Sequence, residues 1–278
     1  MLDSFAADFP LLLVALALGL YIAGERRAAR LRRRRPPRVA GLARRRARAF
    51  YAGLATIVIA LAGPVDSYAD RLFWVHMIQH VLLLTVAAPL FVLGAPWMSL
   101  WRPLPLEFRR GIAGTMARAR WATPLRVAGR ALGRPRGALI AFTVVLVGWH
   151  IPAAYDATLG HVWLHALEHT TFLVFGVLLW SQVIRSPPLR LRLPADQRAA
   201  YMLAASASGW AIGIVLALAS SPLYPVYAHL ANRPGGISAL TDQRLAALVM
   251  LGPGSVTMLA FVCFETYRRR VSARTVSA

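Results

Sequence analysis

The chain has 278 residues, 58% of them hydrophobic, with a mean hydropathy of +0.53 and a formal net charge of +21. Long unbroken apolar runs at that hydropathy exclude an ordinary soluble domain, and one cysteine, Cys263, excludes a disulfide framework or a thiolate cluster. All 32 basic residues are arginine, so the charge balance rests on where the arginines fall.

Seven stretches are long enough to cross a bilayer, which takes about 20 residues of helix. They lie near 5–24, 48–64, 71–95, 137–152, 161–184, 199–220 and 243–266, the second and fourth being the shortest. The first carries Asp3 and Asp8 at its head and has no basic start, which reads as a retained span and not as a cleaved signal. The loop after it, "ERRAARLRRRRPPRVAGLARRRAR", holds 12 arginines. The third span opens on "FWVHMIQHVLLL". The loop over 96–136 follows, with 9 arginines and the stretch "LEFRRGIAGTMARARW", read as a short helix on the membrane surface. The fourth span ends in "GWHIPAAYD" and the fifth opens on "VWLHALEHTTFL". The loop at 185–198 and the tail after Tyr267 carry 4 arginines each. With seven spans these four arginine-rich segments share one side. The positive-inside bias makes that side cytoplasmic, with the N-terminus outside and the C-terminus inside. Arginine runs tied to spans at both ends read as topology and anionic-lipid contact, not nucleic-acid binding. The expectation is an all-α polytopic protein, one seven-span membrane domain over 1–278.

"FWVHMIQHVLLL" and "VWLHALEHTTFL" match in spacing, and Pro64 and Pro152 precede them at similar distances. The two segments read as a trace of an internal repeat, with spans two–three and four–five as copies in the same orientation. Residues i and i+4 lie one above the other on a helix face. His76 with His80, and His165 with His169, can therefore each present two imidazoles to one ion. His80 and His169 sit at similar depth inside apolar runs, where an ionisable residue is functional by default. His150 ends the fourth span close by, while His161 and His229 fall at the membrane surface.

Imidazole suits copper, zinc, iron and nickel, and a thioether from Met77 or Met250 would favour Cu(I). Glu168 and Asp242 are placed to orient a ligand imidazole or to move protons, and Asp242 could equally cap the seventh span. "HALEH" also fits a metalloprotease pattern. However, its further glutamate would have to be Glu265, at the opposite end of the seventh span. A b-type haem between facing histidines is the stronger rival. A copper permease would want ligand pairs continuing inward, and no histidine lies there.

"HMIQHVLLLTVAAPLFVLGAP", "GWHIPAAYDATL", "HALEHTTFLVFGVLLW", "SPLYPVYA" and "LTDQRLAALVMLGPG" together resemble the CtaG family of cytochrome c oxidase assembly factors. These are the multi-span membrane proteins, not the single-span copper chaperones that share the name. The resemblance runs from about Pro64 to Tyr267. It implies a seven-span bacterial plasma-membrane protein that is not an enzyme and is needed for a functional haem–copper oxidase. Copper would come from a donor outside the membrane and pass to the oxidase subunit carrying the copper centre. The matching positions are His76, Gln79, His80, His150, Asp156, His165, Glu168, His169, Asp242 and Gln243. The expected site is an outward-facing cluster in which His76, His80, His165 and His169 hold copper as Cu(I), with His150 as a further or transfer ligand. Copper handling or copper resistance without an oxidase, and haem binding, are the alternatives.

Overall fold

The computed structural model describes residues 2–31, 37–230 and 232–276, and among them the regular structure is helical throughout. In chain order, α1 (Leu2–Leu31) and α2 (Pro37–Leu61) are long, and α3 (Pro64–Ala69) is a short helix set off by a turn. α4 (Phe73–Val81), a π-helical turn (Leu82–Ala87) and α5 (Ala88–Gly94) run on as one span. α6 (Trp97–Trp101), α7 (Leu106–Arg118) and α8 (Thr123–Leu132) fill the long arginine-bearing loop before α9 (Pro135–Trp149). α10 (Pro152–Gly160) is short and α11 (Val162–Trp180) long. They are followed by α12 (Ala195–Leu218), the single turn α13 (Pro225–Ala228), α14 (Ala239–Leu251) and α15 (Pro253–Val276).

Six stretches are long and apolar enough to cross a membrane: Phe9–Arg30, Val39–Ala69, Phe73–Gly94, Val162–Trp180, Ala195–Leu218 and Ala239–Arg268. α9, with 15 residues, makes a seventh only together with the helix before it, from which it is bent by 96°. Several boundaries differ from those expected. The second span, expected at 48–64, begins at Val39, so Arg44, Arg45, Arg46 and Arg48 stand on a helix and not in a loop. Alanine and arginine are strong helix formers, and arginine stems can lie along apolar surface while their heads reach water. The fourth, expected at 137–152, ends at Trp149, and the fifth, expected at 161–184, ends at Trp180.

Proline explains most of the punctuation. Its fixed φ and missing N–H suit the first turn of a helix, and Pro64, Pro135, Pro152, Pro225 and Pro253 each begin one. Gly63, at φ 73°, supplies the left-handed residue that turns the chain from α2 into α3. The expected repeat shows as element order: long helix, proline-started short helix, then a helix opening with paired histidines. α2, α3 and α4 follow it, and so do α9, α10 and α11.

The outer faces of the long helices are apolar. Val144 is 64% exposed and Leu218 80% exposed, with Leu16, Ile59, Ile140, Leu248 and Val256 similarly bare. Such a band is stable in lipid and not in water. Inside, the core divides into two main clusters. One, around Phe142, Phe172, Trp180, Met202 and Met258, joins α5, α9, α11, α12 and α15. The other joins Phe73, Met77, Tyr155, Tyr224 and Tyr227 on the segments between spans and on the head of α4.

The π turn separates these regions. Ala88 N–H bonds to Leu83 O, so the next donor in that register would be residue 89, which is proline. The carbonyl of Leu84 thus lacks a helical partner, and the indole of Trp180 on α11 donates to it at 2.9 Å. α11 packs directly on the π turn and α5. A Cβ on Gly176 would meet the Ala88 side chain at 3.1 Å, so the absence of one permits that approach. Beyond this contact the polar side chains of α4 and α11 fill the space between the helices.

Candidate metal centre

His76 and His80 on α4 face His165, Glu168 and His169 on α11. The ring centroids of His76 lie 4.5 Å from His80, 5.0 Å from His165 and 5.6 Å from His169. His80 and His169 are 5.4 Å apart, and His165 and His169 are 4.3 Å apart. Glu168 sits across the pair on α4, with Oε2 3.7 Å from His76 Nε2 and Oε1 3.5 Å from His80 Nε2. One ligand atom from each of His76, His80, Glu168 and His169 falls within 4.8 Å of all the others. Ligands 2.0–2.1 Å from one ion can be no more than about 4.2 Å apart. A tetrahedral set at that bond length has its ligand atoms about 3.4 Å apart, so shifts of up to about 0.7 Å at each side chain would close the group around an ion.

These side chains are buried, His76 and Glu168 completely. Buried polar atoms are nearly always paired, but here a whole set is not. Nε2 of His76, His165 and His169, both ring nitrogens of His80, and both carboxylate oxygens of Glu168 have no hydrogen-bond partner. Unpartnered imidazole nitrogens and carboxylate oxygens gathered this closely are what a cation would satisfy, and together they form a donor set suited to a transition metal.

The surroundings select the tautomers. Tyr227 Oη donates to the Ala69 carbonyl at 2.6 Å, so at 3.2 Å from His76 Nδ1 it accepts the imidazole N–H. That leaves Nε2 of His76 with its lone pair toward the cluster. Burial pushes the Tyr227 and Tyr224 phenols upward, so both stay protonated donors. His150 donates from Nδ1 to the Leu146 carbonyl at 2.7 Å, and its Nε2 is a buried, unpartnered acceptor. Its ring stands 6.0 Å from His80, outside the group of four. Trp149 Nε1, at the end of α9, donates to Thr171 on α11, whose hydroxyl donates to the Glu168 carbonyl, fixing the turn that presents the acid.

The other expected residues have different places. Gln79 points away from the cluster and donates to Ala60 O and Asp66 Oδ1, tying α4 to α2 and α3. Gln243 accepts from Leu223 N–H and donates to Leu216 O, joining α14 to the end of α12. Asp242 is not the cap of its own helix; Ser238 holds that position and accepts from Thr241 N–H. The Asp242 carboxylate instead accepts from the N–H groups of Phe73 and Trp74, at 3.1 and 3.0 Å, capping α4 from across the bundle. Arg233 pairs with it at 3.3 Å and donates to the carbonyls of Tyr227 and Ile237. Asp156 lies on α10, apart from the cluster. Burial raises its pKa, opposed by a hydrogen bond from the Val226 backbone. Met77 is wholly buried beside the aromatic cluster, and His161 and His229 are exposed. Glu265, midway along α15, pairs with Arg198 and Arg268.

Sequence reasoning placed Glu168 behind the imidazoles, whereas the structure sets it among them. It also gave no role to Tyr227, Tyr224 or Trp180. The tyrosines were visible only as the pair in "SPLYPVYA"; their partners lie far away in the chain. A polar cavity of about 190 Å³, lined by Asp66, Asp70, Thr158, His165 and His169, adjoins the cluster on the side of α3 and α10.

The family described as cytochrome c oxidase caa3 assembly factor (Caa3_CtaG) matches residues 19–269. An uncharacterized protein of Mycobacterium bovis and one of Mycobacterium tuberculosis are each 29% identical to this chain over 197 residues. That covers 71% of this chain but 30% of theirs, so the chain spans under a third of the length of these curated relatives. No solved structure matches it.

Proposed function

The chain belongs to the cytochrome c oxidase caa3 assembly factor family, and from that membership we propose that it binds copper within the membrane for delivery to the oxidase. The ion, carried as Cu(I), is held by His76, His80, Glu168 and His169, with His165 and His150 within reach as exchange ligands. The observation that carries this reading is the convergence of four buried ligand atoms within 4.8 Å, almost all of them unpartnered.

The protein takes copper from a donor outside the plasma membrane and passes it to the oxidase subunit that carries the copper centre. The arginine distribution supports an outside N-terminus and a cytoplasmic C-terminus, and the cavity beside α3 and α10 then faces outward. Transfer is ligand exchange. It needs no nucleophile or general base, so the protein acts as a carrier and not as an enzyme. Haem is the poorer fit, because a macrocycle needs a wide slot between its axial imidazoles, and these rings pack 4.3–5.6 Å from one another.

The test is metal content of the detergent-purified protein after copper loading, for wild type and for His80→Ala/His169→Ala, with an optical scan of the same samples. Near-stoichiometric copper that disappears in the double variant supports the reading. A Soret band without copper would replace it with haem binding, and neither signal would leave the histidines without a metal role.

A further inference from the structure

Resting on the copper reading above, we propose a second, softer station for the ion beside the cluster, in a largely apolar cavity whose lining includes three methionines and two histidines. The chamber has a volume of about 60 Å³ and lies between α4, α9, α12, α14 and α15. Met77, Met250 and Met258 line it from three different helices, together with His80 and His150. Three of the chain's seven methionines thus meet one small space. The volume is about that of two water molecules, enough for one ion and too small for an organic cofactor.

The two histidines make this more than a packing gap. Nδ1 of His150 is committed to the Leu146 carbonyl, so its unpartnered Nε2 must be a lone-pair donor, and it stands outside the group of four. His80 belongs to both places. Its Nε2 stands 3.5 Å from Glu168, its ring lines the chamber, and neither of its nitrogens has a partner. An ion about 2.0–2.1 Å from one nitrogen of each ring would set the ring centres roughly 6 Å apart. The observed separation is 6.0 Å. Met258 already has its sulfur turned to a polar neighbour, accepting from the Ser206 hydroxyl at 3.1 Å.

The ligand set decides which ion. No acid lines the chamber, so a divalent ion there would remain an uncompensated charge in an apolar site. A monovalent, soft ion bound by neutral imidazole and thioether costs less to bury and suits sulfur better. The cluster supplies a carboxylate and the chamber supplies sulfur, with His80 shared. One Cu(I) can pass between them by exchanging ligands while keeping the same His80 nitrogen, so neither its oxidation state nor the ring proton changes.

The test is X-ray absorption on the full chain loaded with Cu(I) under reductant, in a Cys263→Ser background so that the exposed thiol cannot contribute. Ag(I) loading serves as a redox-inert probe. Sulfur neighbours at about 2.3 Å are expected beside the nitrogen shell. They should vanish in Met77→Leu/Met250→Leu/Met258→Leu, which keeps side-chain volume, and should increase in Glu168→Gln. Bound copper surrounded only by nitrogen and oxygen in wild type overturns this station and leaves the cluster standing. A sulfur shell that survives in the triple variant overturns the assignment to these methionines. Protein that binds neither ion overturns both stations together.

Discussion

Glu168→Gln is the most informative single change, because it keeps volume and an oxygen ligand while removing the one charge in the group of four. At about 2.1 Å from a monovalent ion, a carboxylate oxygen contributes about 8 kcal/mol at an effective dielectric constant near 20. The glutamine amide oxygen would still ligate the ion through its dipole and recover about half of that. About 3–4 kcal/mol of affinity should therefore be lost, which raises Kd roughly 10²–10³-fold. Competition against a chromophoric Cu(I) chelator, with protein in detergent, reads this directly. A second readout has the opposite sign. Without metal, Glu168 is fully buried and both its oxygens lack partners, so the neutral amide should raise the melting temperature of the apo protein. Weaker copper binding with a more stable apo state would be the mark of a carboxylate kept for an ion. A Kd within about threefold of wild type would refute the argument, since the charge would then not be at the ion.

Tyr227→Phe removes the acceptor that orients His76 and should weaken copper binding about 10–100-fold, measured by the same competition. Asp242→Ala uncaps α4 and strands Arg233, and should cost about 3–5 kcal/mol in thermal unfolding; Asp242→Asn should cost less, since it can still accept from the Phe73 and Trp74 amides. Trp180→Phe keeps an aromatic ring but unpairs the Leu84 carbonyl and leaves a gap where the rest of the indole packed, a loss of about 2–4 kcal/mol in the same assay. Reporter fusions after residue 276 and before α1 should report cytoplasm and exterior respectively, and the reverse pattern would turn the site inward.

Much of the architecture could be read from residues alone because it depends on local regularities. Apolar runs of span length, prolines that begin helices, and histidines four apart are properties of one segment at a time. His76, His80, His165 and His169 were singled out on that basis, and the structure brings all four together. The π turn before Pro89 was not anticipated.

The remaining features depend on how separate segments turn toward one another. Whether Glu168 faces the imidazoles or stands behind one of them is a matter of the rotation of α11 about its own axis, and the close approach of Gly176 to Leu84 and Ala88 helps set that rotation. Asp242 caps a helix that begins 169 residues earlier. Tyr227 selects the tautomer of an imidazole 151 residues away. Helical periodicity says which residues share a face, but not which face meets which. Packing and hydrogen bonding between distant segments decide that pairing, and only the tertiary structure contains it.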